Sequence, residues 1–115
     1  MEDRDARIGY NEALFRAVNE ELGAQNAAGA RLPSFEIVCE CGSASCKKLI
    51  TVTAREYESV RSRSNQFLVK PGHQIEEVEA VIDEIESVNA HETYLIVTKR
   101  PGKPTRIAEA TDPRR

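Results

Sequence analysis

FEIVCECGSASCKKLITVT, residues 35–53, decides how this 115-residue chain is read. Its first half alternates: Phe35, Ile37, Cys39 and Cys41 fall on one face and Glu36 and Glu40 on the other, the two-residue period of a strand. KKLITVT is rich in β-branched residues and predicts an antiparallel partner. The segment therefore reads as a hairpin whose tip carries all three cysteines of the chain. Residues two apart on a strand point the same way, so Cys39 and Cys41 aim at one point, and the loop GSASC returns Cys46 to it. Gly42 is expected to permit the unusual backbone angles of a tight knuckle, and loop amides to donate hydrogen bonds to the sulfurs.

Three clustered thiols need a purpose. No apolar stretch approaches the roughly 18 residues that span a bilayer, and the start MEDRDARIG lacks the apolar core of a signal peptide. The expectation is a cytoplasmic protein with no membrane contact, in a reducing compartment where disulfides are disfavoured and clustered thiols serve metal or redox chemistry. Three thiolates leave one tetrahedral position open, and three cysteines with one histidine is a standard structural zinc set. His73 follows Pro71 and Gly72 at a bend that presents its side chain at a defined point, whereas His91 lies in the polar stretch NAHE and reads as an exposed loop imidazole. The candidate ligands of a Zn2+ ion are thus Cys39, Cys41, Cys46 and His73. An iron–sulfur centre uses the same thiolates, and reactive thiols or cysteines filling small core positions are the competing readings. Lys47 and Lys48 either offset the charge of such a cluster or form a solvated face.

Around the hairpin the pattern predicts an α+β fold: a small antiparallel sheet, an N-terminal amphipathic helix, one or two short helices and a zinc-knuckle hairpin. Tyr10, Leu14, Phe15, Val18 and Leu22 recur at three- and four-residue steps on one face and predict a helix over 1–25, capped by Asp5 and ended by Gly23, that packs on its own domain or reaches a second molecule. Residues 26–34, rich in small residues, Gly and Pro, read as a linker. Thr53 and Glu56 form a capping-box pattern before a short helix carrying Ala54, Tyr57 and Val60, which RSRSN stops. QFLVK predicts a strand closed by the Pro-Gly-His turn. Ile75, Val78, Val81, Ile82 and Ile85 favour a helical start to residues 75–88, although β-branched content leaves 80–88 open between helix and strand. TYLIVTK, apolar on both faces, predicts a central strand. One domain is expected over 1–115, with its metal-binding core at 35–110 and a mobile tail at 111–115.

Composition limits the functions. The net charge of -3 and a 5% aromatic content argue against a dedicated nucleic-acid binder that stacks bases. Seven acids and no Lys or Arg occupy 76–92, against six bases from residue 99 onward. Together they suggest a solvated face and a soluble tail, or a docking surface for a charged partner or for the other end of the same molecule. The zinc deaminase signature, a Gly-rich phosphate loop and an interpretable nucleophile–histidine motif are all missing, and Glu40, the one conceivable base among the ligands, points away from them on a strand. The expected function is a non-enzymatic, zinc-stabilised interaction or regulatory module with a protein partner. The alternatives are a zinc-ribbon-like nucleic-acid binder using Arg61, Arg63 and KRPGKPTR, and a thiol redox switch.

NEALFRAVNEEL, FEIVCECGSASC, EYESVRS, FLVKPGH and ATDPRR, in this order over nearly the whole chain, resemble a group of small uncharacterised actinobacterial proteins with a Cys-x-Cys-Gly-x3-Cys segment and a downstream Pro-Gly-His. The resemblance implies that Cys39, Cys41, Cys46 and His73 match that pattern residue by residue, and it implies an actinobacterial cytoplasm. The acidic stretch around 83–92 departs from the pattern. The group carries no activity to transfer.

Overall fold

A computed structural model describes residues 4–87 and 92–114. The elements in chain order are α1 (Arg4–Ala28), β1 (Ser34–Val38), β2 (Leu49–Thr53), α2 (Ala54–Arg61), β3 (Gln66–Val69), β4 (Glu79–Glu86), β5 (Thr93–Lys99) and α3 (Lys103–Ala110). The fold is α+β, as the pattern of residues predicts, but its strands form two small antiparallel sheets rather than one. β1 and β2 pair as the predicted hairpin, Val38 opposite Leu49 and Ser34 opposite Thr53. The second sheet has the order β3-β5-β4, so TYLIVTK is indeed its central strand. Among the described residues no helix is long and apolar enough to cross a membrane.

Local chemistry accounts for several boundaries. Thr53 Oγ1 accepts from the Glu56 amide at 3.0 Å and caps α2. Pro71 and Gly72 make a tight turn closed by His73 N–H to Lys70 C=O at 3.0 Å, and Gly72 sits at φ 88, which only glycine adopts freely. Pro104 lies in the first turn of α3, where its missing amide hydrogen costs no helical bond. Gly9 lets α3 approach α1, since a Cβ there would lie 3.0 Å from the Ile107 Cδ1 atom.

Two expectations are corrected. Residues 75–78 form one hydrogen-bonded turn rather than a helix, with the amides of Val78 and Glu79 both donating to Ile75 C=O, and Glu79–Glu86 is the strand β4 at a sheet edge. Helical spacing misled because Val81 and Ile82 are exposed beside a bulge, not buried on a helix face. α1 begins before Asp5 and continues past Gly23 to Ala28, so neither marks an end; Gly23 instead provides space for the rings of Tyr57 and Phe35. The apolar face of α1, left open between its own domain and a second molecule, is not packed on the domain. Tyr10, Leu14 and Val18 point outward, whereas Ile8, Glu12, Arg16 and Asn19 are buried.

The buried charges of α1 meet charges from other elements. Lys99 of β5 holds both Glu12 and Glu79, and Arg61 of α2 holds Glu40. Arg16 donates to the carbonyls of Ser64 and Ala108 at 2.7 and 2.8 Å. Phe67 lies under the three cations, 5.0 Å from the Arg16 guanidinium, 5.8 Å from that of Arg61 and 5.3 Å from Lys99 Nζ. Polar groups without partners would be costly in such a place, and these hydrogen bonds and ion pairs make the face compatible with burial. Beyond α3, Arg114 reaches Glu20 and Glu58 at 2.8 and 2.6 Å.

Candidate metal centre

The loop between β1 and β2 and the turn after β3 meet at one corner of the molecule. Cys39, Cys41, Cys46 and His73 converge there, their ligand atoms all within 4.8 Å of one another. The Nδ1 atom of His73 lies 3.6 Å from the Cys39 sulfur and 3.5 Å from that of Cys46. These are the four residues predicted from sequence; His91 lies outside the described residues. Cys39 and Cys41 are buried, and Cys46 and His73 are half-buried. A cleft of about 340 Å³ lined by Cys41, Gly42, Gly72, His73 and Ile75 opens beside them, giving an ion a route to the thiols.

Two independent pieces of backbone hold the cluster. The first is the Pro71-Gly72 turn, which reverses the chain immediately after β3 and fixes the position of His73. The second is the segment of residues 39–40, which pairs with the strand leading to that turn. Glu40 N–H donates to Leu68 C=O at 2.8 Å, Leu68 N–H donates to Glu40 Oε1 at 3.0 Å, and Lys70 N–H donates to the Cys39 sulfur at 3.3 Å. The contact thus registers Cys39 against a chain segment that reaches His73 three residues beyond Lys70.

Glu40 is the functional residue that sequence reasoning undervalued. Its carboxylate points away from the thiols, as alternation along a strand predicts, and into the protein rather than to solvent beside the exposed Glu36. Both Arg61 terminal nitrogens grip it, at 2.6 and 2.8 Å, and Asn19 Nδ2 donates to it at 2.7 Å. Asn19 also accepts from Val38 N–H and donates to Val38 C=O, both at 2.8 Å, so α1 is tied to the last residue of β1 before the cysteines. The available signal was an acid set between two ligand candidates: if the thiols face one way, the carboxylate faces the other, toward whatever covers the hairpin.

Gly42 acts differently from the expectation. Its backbone is not in the left-handed region; the residue is small because α1 crosses directly over it, and a Cβ would lie 2.7 Å from Ile8 Cγ2. Asn11 Nδ2 donates to Gly42 C=O at 2.9 Å and pins the loop to the helix.

Electrostatically the thiols share protons unequally. A hydrogen bond from Cys39 and further donors, including the Ser43 amide, bring Cys41 down to about 4, while the same Cys39–Cys41 bond together with burial pushes Cys39 up. This sharing favours the thiolate at Cys41, the form that ligates metals. Lys47, Lys48 and Lys70 line an adjacent cleft with His73, Glu36 and Glu92, where Lys70 pairs with Glu92 at 3.2 Å. No family model, curated protein or solved structure matches the chain, so the arrangement stands on its own geometry.

Proposed function

We propose that Cys39, Cys41, Cys46 and His73 hold one Zn2+ as a closed structural site, and that the chain is a non-enzymatic, zinc-stabilised interaction module of the cytoplasm that binds a protein partner. The observation that carries this reading is the pair of sulfur–nitrogen separations. With zinc–sulfur and zinc–nitrogen bonds of about 2.3 and 2.05 Å, a tetrahedral S–N edge is about 3.5–3.6 Å. The separations of 3.6 and 3.5 Å between His73 Nδ1 and the sulfurs of Cys39 and Cys46 match that edge. Three thiolates with a neutral imidazole suit a borderline-soft d10 ion, and four protein donors leave no open position for substrate or water. The net charge of such a centre is -1 by formal count, and Lys47 and Lys48 stand within the adjoining cleft to offset it.

Nucleic-acid binding loses support from the placement of its candidate residues. Arg61 and Lys99, both enlisted as phosphate contacts, have side chains only 1% and 0% exposed and are paired with Glu40 and with Glu12 and Glu79. Arg100 donates to the Glu76 carbonyl. Of the enlisted bases, Arg63, Arg100, Lys103 and Arg106 remain exposed, a modest number for a phosphate-tracking surface.

Elemental analysis of protein purified without added metal tests the reading. The expected result is about one zinc per chain, lost in Cys46→Ser and reduced in His73→Ala, with thermal stability falling alongside. Three freely titrating thiols and no bound metal in protein exposed to zinc overturn it.

A further inference from the structure

The outward face of α1 is built as a helix-pairing surface, and we propose that it binds the same helix of a second copy, antiparallel, about a two-fold axis through Leu14. This inference goes beyond the metal site and does not depend on it.

α1 is 25 residues long, about 37 Å at 1.5 Å per residue. Its inward face is the polar one, which leaves Tyr10 61%, Leu14 62% and Val18 42% exposed. These residues lie on consecutive turns and form one stripe rather than scattered apolar positions. The stripe sits within a seven-residue repeat: Arg7, Leu14 and Glu21 follow one line along the helix, Tyr10 and Ala17 flank it on one side and Val18 on the other, and all six are exposed. Apolar positions spaced three and four apart on a long helix are what a partner helix packs into.

The charges select both partner and direction. A two-fold axis at Leu14 places residue 7 of one copy against residue 21 of the other, so Arg7 meets Glu21 twice, on either side of a Leu14–Leu14 contact, while Tyr10 meets Val18. A parallel pair in register sets Arg7 against Arg7 and Glu21 against Glu21, which is repulsive. The face is therefore complementary to itself in one direction only, as a closed two-fold interface requires. A single helix pair buries an area at the small end of specific interfaces, so a weak, concentration-dependent dimer is expected.

Sedimentation equilibrium of the full chain as purified, from micromolar to submillimolar concentration, tests the proposal. Dimerisation is expected, weakened at least about thirtyfold by Leu14→Glu, the change expected for losing a central apolar anchor. Arg7→Glu and Glu21→Arg each weaken it by about tenfold through two pairs per dimer, and the double exchange restores it. Helical content and zinc per chain stay at wild-type values in the exposed-residue variants, which separates loss of pairing from loss of fold or metal. A wild-type chain that stays monomeric throughout overturns the proposal. So does a dimer indifferent to Leu14→Glu, or a double exchange no better than either single change.

Discussion

Replacing Glu40 with alanine tests the link between the buried ion network and the cysteine loop. The wild-type carboxylate is fully buried and accepts from Arg61 at 2.6 and 2.8 Å, from Asn19 at 2.7 Å and from the Leu68 amide at 3.0 Å. Removing it strands the Arg61 guanidinium, whose side chain is 1% exposed. Truncating one partner of a buried, hydrogen-bonded ion pair costs about 3–5 kcal/mol. Arg61 keeps its 3.0 Å bond to Gln66 C=O and its contacts over Tyr57 and Phe67, which places the expected loss near 3 kcal/mol. For a chain of this length that is a fall in Tm of about 10–15 °C. Because Glu40 also registers the thiol loop against β3, zinc affinity is expected to drop about 10- to 100-fold, as for other residues that orient ligands without touching metal. The assays are urea unfolding of the zinc-loaded protein and competition against a chromogenic chelator. Arg61→Met added to Glu40→Ala recovers about 2 kcal/mol, since it removes the stranded charge. A Tm within two or three degrees of wild type, together with unchanged zinc affinity, refutes the argument.

Two further predictions follow from the helix interface. Burial raises the Glu12 carboxyl to about 8 despite Lys99, with Glu79 and Glu40 adding to the rise, so the folded state retains a proton that the unfolded chain releases. That contribution is complete below the ordinary value of 4.5, shrinks as pH rises and is gone above about 8. Between about pH 5.5 and 8.5 the unfolding free energy of the wild type is expected to fall more steeply than that of Glu12→Gln, by one to a few kcal/mol over the interval in urea unfolding; the difference between the two slopes is the readout because every other titrating group is common to both proteins, and equal slopes contradict the assignment. Gly42→Ala sets a methyl group 2.7 Å from Ile8 Cγ2. It is expected to destabilise the zinc-loaded protein by about 1–3 kcal/mol, and Ile8→Ala in the same chain to relieve part of that loss; an unchanged unfolding midpoint in the single variant refutes the close approach.

What the sequence determined by itself is local. Alternation in FEIVC and β-branching in LITVT were enough for the hairpin, because a two-residue period has only one structural solution on that scale. Pro71-Gly72 specified the bend before His73 through φ alone, and Thr53 specified the start of α2 through one side-chain oxygen. The candidate ligands were legible for the same reason: three cysteines within eight positions need little tertiary information to meet, and the fourth donor sat at the most sharply defined turn. Tertiary structure decided which stripe of α1 faces inward. Glu12, Arg16 and Asn19 recur at helical spacing just as Tyr10, Leu14 and Val18 do, and periodicity cannot rank a polar stripe above an apolar one. The polar stripe is buried because Lys99, Glu40, the Ser64 and Ala108 carbonyls and the Val38 backbone satisfy it, and these groups lie 19 to 92 residues away in sequence. The same dependence on remote partners hid the role of Glu40 and made a strand of residues 79–86, where β5 supplied an edge for pairing that no local propensity reveals.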